Sequence, residues 1–429
     1  QVIDIELPPI VRFERQGGGK EAIENAAKLL SKAKFPVILS GAGVVLGGAI
    51  DECKKLAEKL DAPVCNGYQH NDSFPGSHPL AVGPLGYNGS KAAMELISKA
   101  DVVLALGTRL NPFSTLPGYG IDYWPKKATI IQVDMNPDRI GLTKKVSVGI
   151  CGDAKQVAQQ ILDKLSSDAG NTGREERKNL IHKTKSAWLQ TLSGLDHEED
   201  DPGTVWNKEA RERDKDRMSP RQAWRAIQDA LPQDAIISSD IGNNCAIGNA
   251  YPTFEKPRKY LAPGLFGPCG YGFPAILGAK IGCPDTPVVG FAGDGAFGIS
   301  MNEMSSCARE EWPAITMVIF RNYQWGAEKR NSILWFDDNF VGTELDPELS
   351  YAKVANACGL KGVTCKTMEE TTKAIKQSCE DQKKGITTFI EIILNQELGE
   401  PFRRDAMKKP VKVAGIKKED MKKQPSLIS

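Results

Sequence analysis

Between residues 20 and 165, short apolar runs of strand length alternate with longer segments in which apolar and polar positions interleave at helical spacing. The alternation predicts a helix over 21–33, a strand over 36–40, a helix over 49–60 and a short strand over 62–65. A helix over 91–99 and strands over 101–106 and 129–134 follow, so residues 1–165 read as a parallel-sheet, Rossmann-like domain. Residues 166–218 break the pattern: they are polar, with charge runs at 174–178, 198–201 and 211–217, and read as a surface linker with some helical content. Ser219-Pro220-Arg221 is a helix-start signal, after which strands and helices alternate again through 219–396, leaving 397–429 as a tail. The fold class predicted is α/β, with two doubly wound, mainly parallel-sheet domains joined by a polar linker.

Composition narrows this picture. A chain of 429 residues exceeds one ordinary core, in keeping with more than one domain. With 55 basic and 54 acidic residues the net charge is +1, so no global bias toward nucleic acid exists, and the Lys-rich stretch 408–423 reads as a solvated terminus. The apolar runs are too short and too broken by Gly and Pro for a membrane span. Ten cysteines stand singly, without Cys-x-x-Cys spacing, which fits a reduced, cytoplasmic setting. The chain opens at Gln1 on a Pro-containing segment with no signal-peptide pattern, and reads as a piece of a longer protein.

The second domain carries the chemistry. The apolar run Val288-Val289-Gly290-Phe291-Ala292 ends in Gly293-Asp294-Gly295-Ala296-Phe297, and a second run over 314–320 ends in Arg321-Asn322-Tyr323-Gln324, with Asn322 28 positions after the aspartate. One βαβ unit then brings a carboxylate and an amide oxygen to neighbouring strand ends, where open α/β sheets bind ligands. Hard cations such as Mg2+ take oxygen ligands shared between protein and phosphate. The amides of Gly295, Ala296 and Phe297 open a helix, where free N–H groups favour an anion. A lone Gly-Asp-Gly is most often a turn; paired with Asn322 at this spacing it points to a diphosphate and metal clamp.

Gly293-Asp294-Gly295 with Asn322 resembles the cofactor motif of the thiamine-diphosphate enzymes related to acetolactate synthase and pyruvate decarboxylase. The resemblance implies thiamine diphosphate and Mg2+, with Asp294, Asn322 and the backbone oxygen of Gln324 as metal ligands. Most members carry two asparagines where this chain has Arg321-Asn322. It also implies that Asn243 and Asn244, at the end of a strand that runs from Ile236 into the glycine turn at Gly242, hydrogen-bond the diphosphate, the plain alternative being an asparagine-rich loop. Cys269, in Gly267-Pro268-Cys269-Gly270, stands where relatives place a larger aliphatic wedge that bends the cofactor, and no thiolate nucleophile is expected there. The glutamate that activates the cofactor in relatives belongs to an N-terminal domain, and no glutamate of this chain is nominated for that role.

The first domain is similar to the central domain of the same enzymes in the stretches 74–79, 100–109 and 133–137. That domain binds FAD in some members; the segment 110–120 departs from the flavin-binding pattern, and FAD is not expected. Gly41-Ala42-Gly43 does not complete a dinucleotide fingerprint, because Leu46 stands where the third glycine belongs, and it reads as a structural turn.

The longer stretches 320–331, 335–345 and 397–407 resemble the sulfoacetaldehyde acetyltransferase family. That resemblance implies conversion of sulfoacetaldehyde and phosphate to acetyl phosphate and sulfite. Both leaving group and nucleophile are anions, so cationic side chains are expected in the pocket. The candidates are Arg321, Lys329, Arg330, Arg403 and Arg404, although for any one of them a solvated surface cation is the more common case. A thiamine-dependent 2-oxo acid decarboxylase or carboligase is the nearest rival, and a non-catalytic cofactor-binding fragment and a two-Rossmann dehydrogenase are the others. Active sites completed by a partner subunit in the superfamily imply a homodimer or homotetramer.

Overall fold

A computed structural model describes residues 14–193, 212–264, 266–335 and 341–397. Two six-stranded, wholly parallel sheets organise it. The first contains β1 (Pro36–Ser40), β2 (Val64–Asn66), β3 (Ala81–Pro84), β4 (Val102–Leu106), β5 (Thr129–Asp134) and β6 (Val148–Cys151), in the order β3-β2-β1-β4-β5-β6. The second contains β7 (Ile236–Ser239), β8 (Tyr260–Leu261), β9 (Val288–Gly293), β10 (Thr316–Arg321), β11 (Lys361–Cys365) and β12 (Thr388–Ile393), in the order β11-β12-β10-β9-β7-β8. From β7 the chain moves to β8 on one side and then crosses to β9 on the other, so the strand order reverses between β7 and β9. That reversal opens the crevice in which such sheets bind ligands.

The second sheet shows why its strands are nearly continuous apolar runs. Val289, Phe291, Val318, Phe320, Ile390 and Ile392 pack on one face with Trp224. Val288, Ala292, Met317, Ile319 and Phe389 pack on the other with Phe273 and Phe297. Side chains alternate across a strand, so a sheet covered by helices on both faces needs apolar residues at every position. Trp224 lies on the helix Pro220–Ala230, started as the sequence predicts: Ser219 accepts from the Gln222 amide at 3.1 Å, and the Gln222 side chain accepts from the Ser219 amide at 2.9 Å.

The polar block behaves differently from a solvated bridge over its described part. Helix Arg174–Ser193 lies against the first domain with Arg177, Ile181 and Trp188 buried. The Arg177 guanidinium donates to the carbonyls of Asp61, Lys34, Thr172, Leu60 and Gly170 at 2.6–2.9 Å, closing the end of helix Ile50–Leu60. The charge run at 198–201 lies outside the described residues, as does the tail from 398 onward. No helix among the described residues is long and apolar enough to cross a membrane.

The loop after β2 fastens the two sheets together. Asn71 donates to the carbonyls of Asn249 and Pro252, the Asp72 carboxylate accepts from the Lys259 and Tyr260 amides, and the Gly76 amide donates to Phe254 O. A Cβ at Gly76 would lie 2.7 Å from the Thr253 side chain, so the close approach requires glycine.

Candidate active site

Three adjacent strands, β7, β9 and β10, deliver the candidate cofactor residues at their carboxyl ends. Asp294 opens the helix Asp294–Ser300 and is 1% exposed. Its Oδ1 accepts from the Gly295 amide at 3.0 Å, and its Oδ2 accepts from the Tyr323 amide at 2.6 Å and from Arg321 Nη1 at 3.0 Å. Burial pushes the carboxyl up to about 6, while the Arg321 charge and the backbone donors pull it down. Tyr323 takes a left-handed conformation, φ +62°, which turns the chain between Asn322 and Gln324.

At the ends of β7 and β10, the strands on either side of β9, lie polar atoms without partners among the described residues. The Asn322 Oδ1, Gln324 Oε1, Asn243 Nδ2 and Asn244 Oδ1 atoms are buried and make no hydrogen bond among the described residues. An unpaired buried polar atom costs about 1–3 kcal/mol, so such a group at the ends of β7 and β10 is costly unless something binds there. A carboxylate with amide oxygens suits a hard divalent cation, and amide N–H groups suit phosphate oxygens. The residues present therefore fit a metal-bound diphosphate. Gln324 Nε2 is used structurally, donating to Gln396 O at 3.1 Å, while its backbone bridges to Glu344.

Other residues named from sequence take different places. Gly293 is extended at the helix start; a Cβ at Gly295 would lie 2.7 Å from the Trp325 ring, so glycine there is also a packing requirement. Ala296 is buried, and Phe297 joins the core against Phe273 and Tyr351. Cys269 is half-buried, and burial together with the Asp240 and Glu328 carboxylates pushes its thiol up, away from thiolate. Asp240, to which the sequence reading gave no role, holds the Cys269 turn: it accepts from the amides of Ile241, Gly270 and Gly272 at 2.8, 3.1 and 2.7 Å. Its position just past β7, ahead of a glycine, was the available signal. The Gly41 and Gly43 positions serve packing, since a Cβ at either would lie 2.6–2.7 Å from Gly107.

A cavity of about 420 Å3 opens between the domains beside Asn243. Tyr68, Tyr87, Arg109 and Asn111 line it from the first domain, and Ile241, Asn243, Ala327 and Arg330 from the second. The Tyr87 hydroxyl donates to Asn243 Oδ1 at 2.9 Å and is itself hydrogen-bonded by Arg330, whose guanidinium stands 5.5 Å from the Tyr87 ring centre. Arg109, the last residue of the stretch 100–109, reaches the cavity and donates to Gly264 O at 2.9 Å. Of the cationic candidates, Arg330 lines this cavity and Lys329 pairs with Glu344. Arg321 is turned into the protein interior, and Arg403 and Arg404 lie outside the described residues.

Comparison with known proteins places this arrangement in a class. The central domain of thiamine pyrophosphate enzymes matches residues 23–161, and their C-terminal TPP-binding domain matches residues 240–392, one for each sheet. The chain is a thiamine pyrophosphate enzyme chain with its central and cofactor-binding domains. It is 77% identical over 424 residues to the probable sulfoacetaldehyde acetyltransferase of Rhizobium meliloti, covering 99% of this chain and 72% of that protein. It is 74% identical to the sulfoacetaldehyde acetyltransferase of Roseovarius nubinhibens, covering 99% and 70%. The probable acetolactate synthase large subunit of Methanocaldococcus jannaschii is 29% identical over 389 residues, covering 88% and 62%. The chain belongs to the sulfoacetaldehyde acetyltransferase family.

Proposed function

We propose that the protein converts sulfoacetaldehyde and phosphate to acetyl phosphate and sulfite, using thiamine diphosphate and Mg2+. Identity of 68–77% along 99% of the chain to three relatives named for this activity carries the reading. When bound, the cofactor supplies the carbon nucleophile and electron sink through which sulfite leaves and the acetyl group passes to phosphate.

The residues of this chain then have separable tasks. Asp294, Asn322 and the backbone oxygen of Gln324 would hold the metal, and Asn243 and Asn244 the diphosphate; the unpartnered buried Asn322 Oδ1 and Asn243 Nδ2 support this reading. Arg330 and Arg109 line the cavity beside Asn243, where two anionic reactants have to be held. Guanidinium groups suit sulfonate and phosphate oxygens because their N–H donors form a planar fork. The Arg330–Tyr87–Asn243 chain of contacts ties this cationic wall to the residue at the cofactor end. Cys269 borders the cofactor as a neutral thiol.

Product analysis tests the proposal in the protein at its full natural length. Incubation with sulfoacetaldehyde, phosphate, thiamine diphosphate and Mg2+ is expected to release sulfite and acetyl phosphate in equal amounts. Consumption of pyruvate without sulfite release would replace the reading with a 2-oxo acid carboligase.

A further inference from the structure

Arg321 stands where most thiamine-diphosphate enzymes carry an asparagine, and it is wholly buried at the end of β10. Its guanidinium is shared among four partners. Nη1 donates to Asp294 Oδ2 at 3.0 Å, and Nη2 donates to the carbonyls of Asp346 and Leu349, the latter at 3.0 Å. Nε lies 3.8 Å from Glu391 Oε1 on β12. The rings of Tyr323 and Tyr351 stand 4.3 and 5.4 Å from its centre.

The partners belong to one layer over the clamp. The strap 343–349 is laid on the 322–325 turn by Leu345 N donating to Tyr323 O at 2.9 Å and Trp325 N donating to Thr343 O at 2.7 Å. Glu391 accepts from Ser350 and from the Tyr351 amide, and the Tyr351 hydroxyl donates to Asp294 O at 2.9 Å. One buried cation thus offsets two buried carboxylates and pins the far end of the strap.

We propose that Arg321 is the positioning residue of the clamp: it fixes the Asp294 carboxylate and locks the strap 343–349 over the Asn322–Gln324 turn, presetting the site for the metal-bound diphosphate. This rests on the thiamine-diphosphate reading above. Partners that orient a metal-ligating group are worth about 10–100-fold in metal affinity. Lysine keeps the charge but presents a single nitrogen, which cannot span Asp294, Glu391 and two carbonyls at once.

The test uses R321K at full natural length, with Mn2+ binding followed by electron paramagnetic resonance at saturating thiamine diphosphate. Hydrogen exchange of 343–349 is measured in the absence of cofactor and metal. A rise of about 10–100-fold in the Mn2+ Kd together with faster exchange in the strap is expected. An unchanged Kd, with or without a lower Tm, overturns the proposal, because a merely structural arginine would move stability alone. If R321K does not fold, E391Q loosens the far side of the guanidinium without touching Asp294; a several-fold rise in Kd is expected there, and none overturns the proposal. Failure of the unsubstituted protein to bind Mn2+ with thiamine diphosphate would instead remove the cofactor reading itself.

Discussion

Asn322→Ala separates binding from folding. Asn322 is 2% exposed, and its Oδ1 has no hydrogen-bond partner among the described residues. Removing an unsatisfied buried oxygen recovers about 1–3 kcal/mol of desolvation cost. The lost packing costs roughly 1–2 kcal/mol. Without cofactor, then, the variant is expected to stay within about 1 kcal/mol of the parent, or to gain. Binding should respond in the opposite sense. Ligand at a hundred times its Kd stabilises the folded state by about 2.7 kcal/mol, and a hundred-fold weakening of affinity leaves only about 0.4 kcal/mol at the same concentration. Urea denaturation with and without thiamine diphosphate and Mg2+ reads both quantities from two pairs of curves. A loss of more than about 2 kcal/mol without ligand, or a ligand-induced shift as large as the parent's, would refute the idea that this oxygen waits for a ligand.

Three further outcomes follow from the same geometry. Arg177→Met should destabilise the first domain by about 3 kcal/mol or more in denaturant melts, since several carbonyls lose a charged donor at once; a change under 1 kcal/mol would contradict the bonding described. His70 is half-buried near Arg109, and its pKa is lowered to about 4, first by desolvation and then by that charge. Its unfolded value near 6.5 is higher, so the unfolded chain binds the extra proton first. His70 therefore withdraws up to roughly 3 kcal/mol of stability as pH falls from about 6.5 to 4, and His70→Gln should flatten that part of the pH–stability curve. Arg330→Ala, in contrast, should raise the apparent KM for sulfoacetaldehyde or phosphate by about tenfold or more in steady-state assays, and unchanged kinetics would remove Arg330 from the anion site.

The alternation of apolar runs made both sheets legible, because a sheet buried on two faces writes itself as continuous apolar strands, as Val288–Gly293 and Thr316–Arg321 do. The candidate clamp was legible for a related reason: Asp294 and Asn322 sit immediately past those runs, so strand ends and the proposed ligand positions share one signal. What stayed hidden depends on contacts between distant segments. Arg177 belongs to a charge run that reads as solvated, and only the carbonyls of residues 34, 60 and 61, more than 110 positions away, turn it inward. Arg321 reads as an anion-binding cation until Glu391, 70 positions later, and the carbonyls of Asp346 and Leu349 claim its guanidinium. Arg109 carries no local signal at all; it faces the cavity because the loop after β2 docks one domain on the other.

The clamp itself is tested most directly by locating the metal. Crystals of the protein at full natural length, grown with thiamine diphosphate and Mn2+, give an anomalous difference map in which Mn2+ marks its own ligands. A single strong peak between Asp294, the Asn322 side-chain oxygen and the Gln324 backbone oxygen is expected, with diphosphate oxygens completing the shell at about 2.0–2.2 Å. A peak elsewhere, or diphosphate density away from the ends of β7, β9 and β10, would contradict the account.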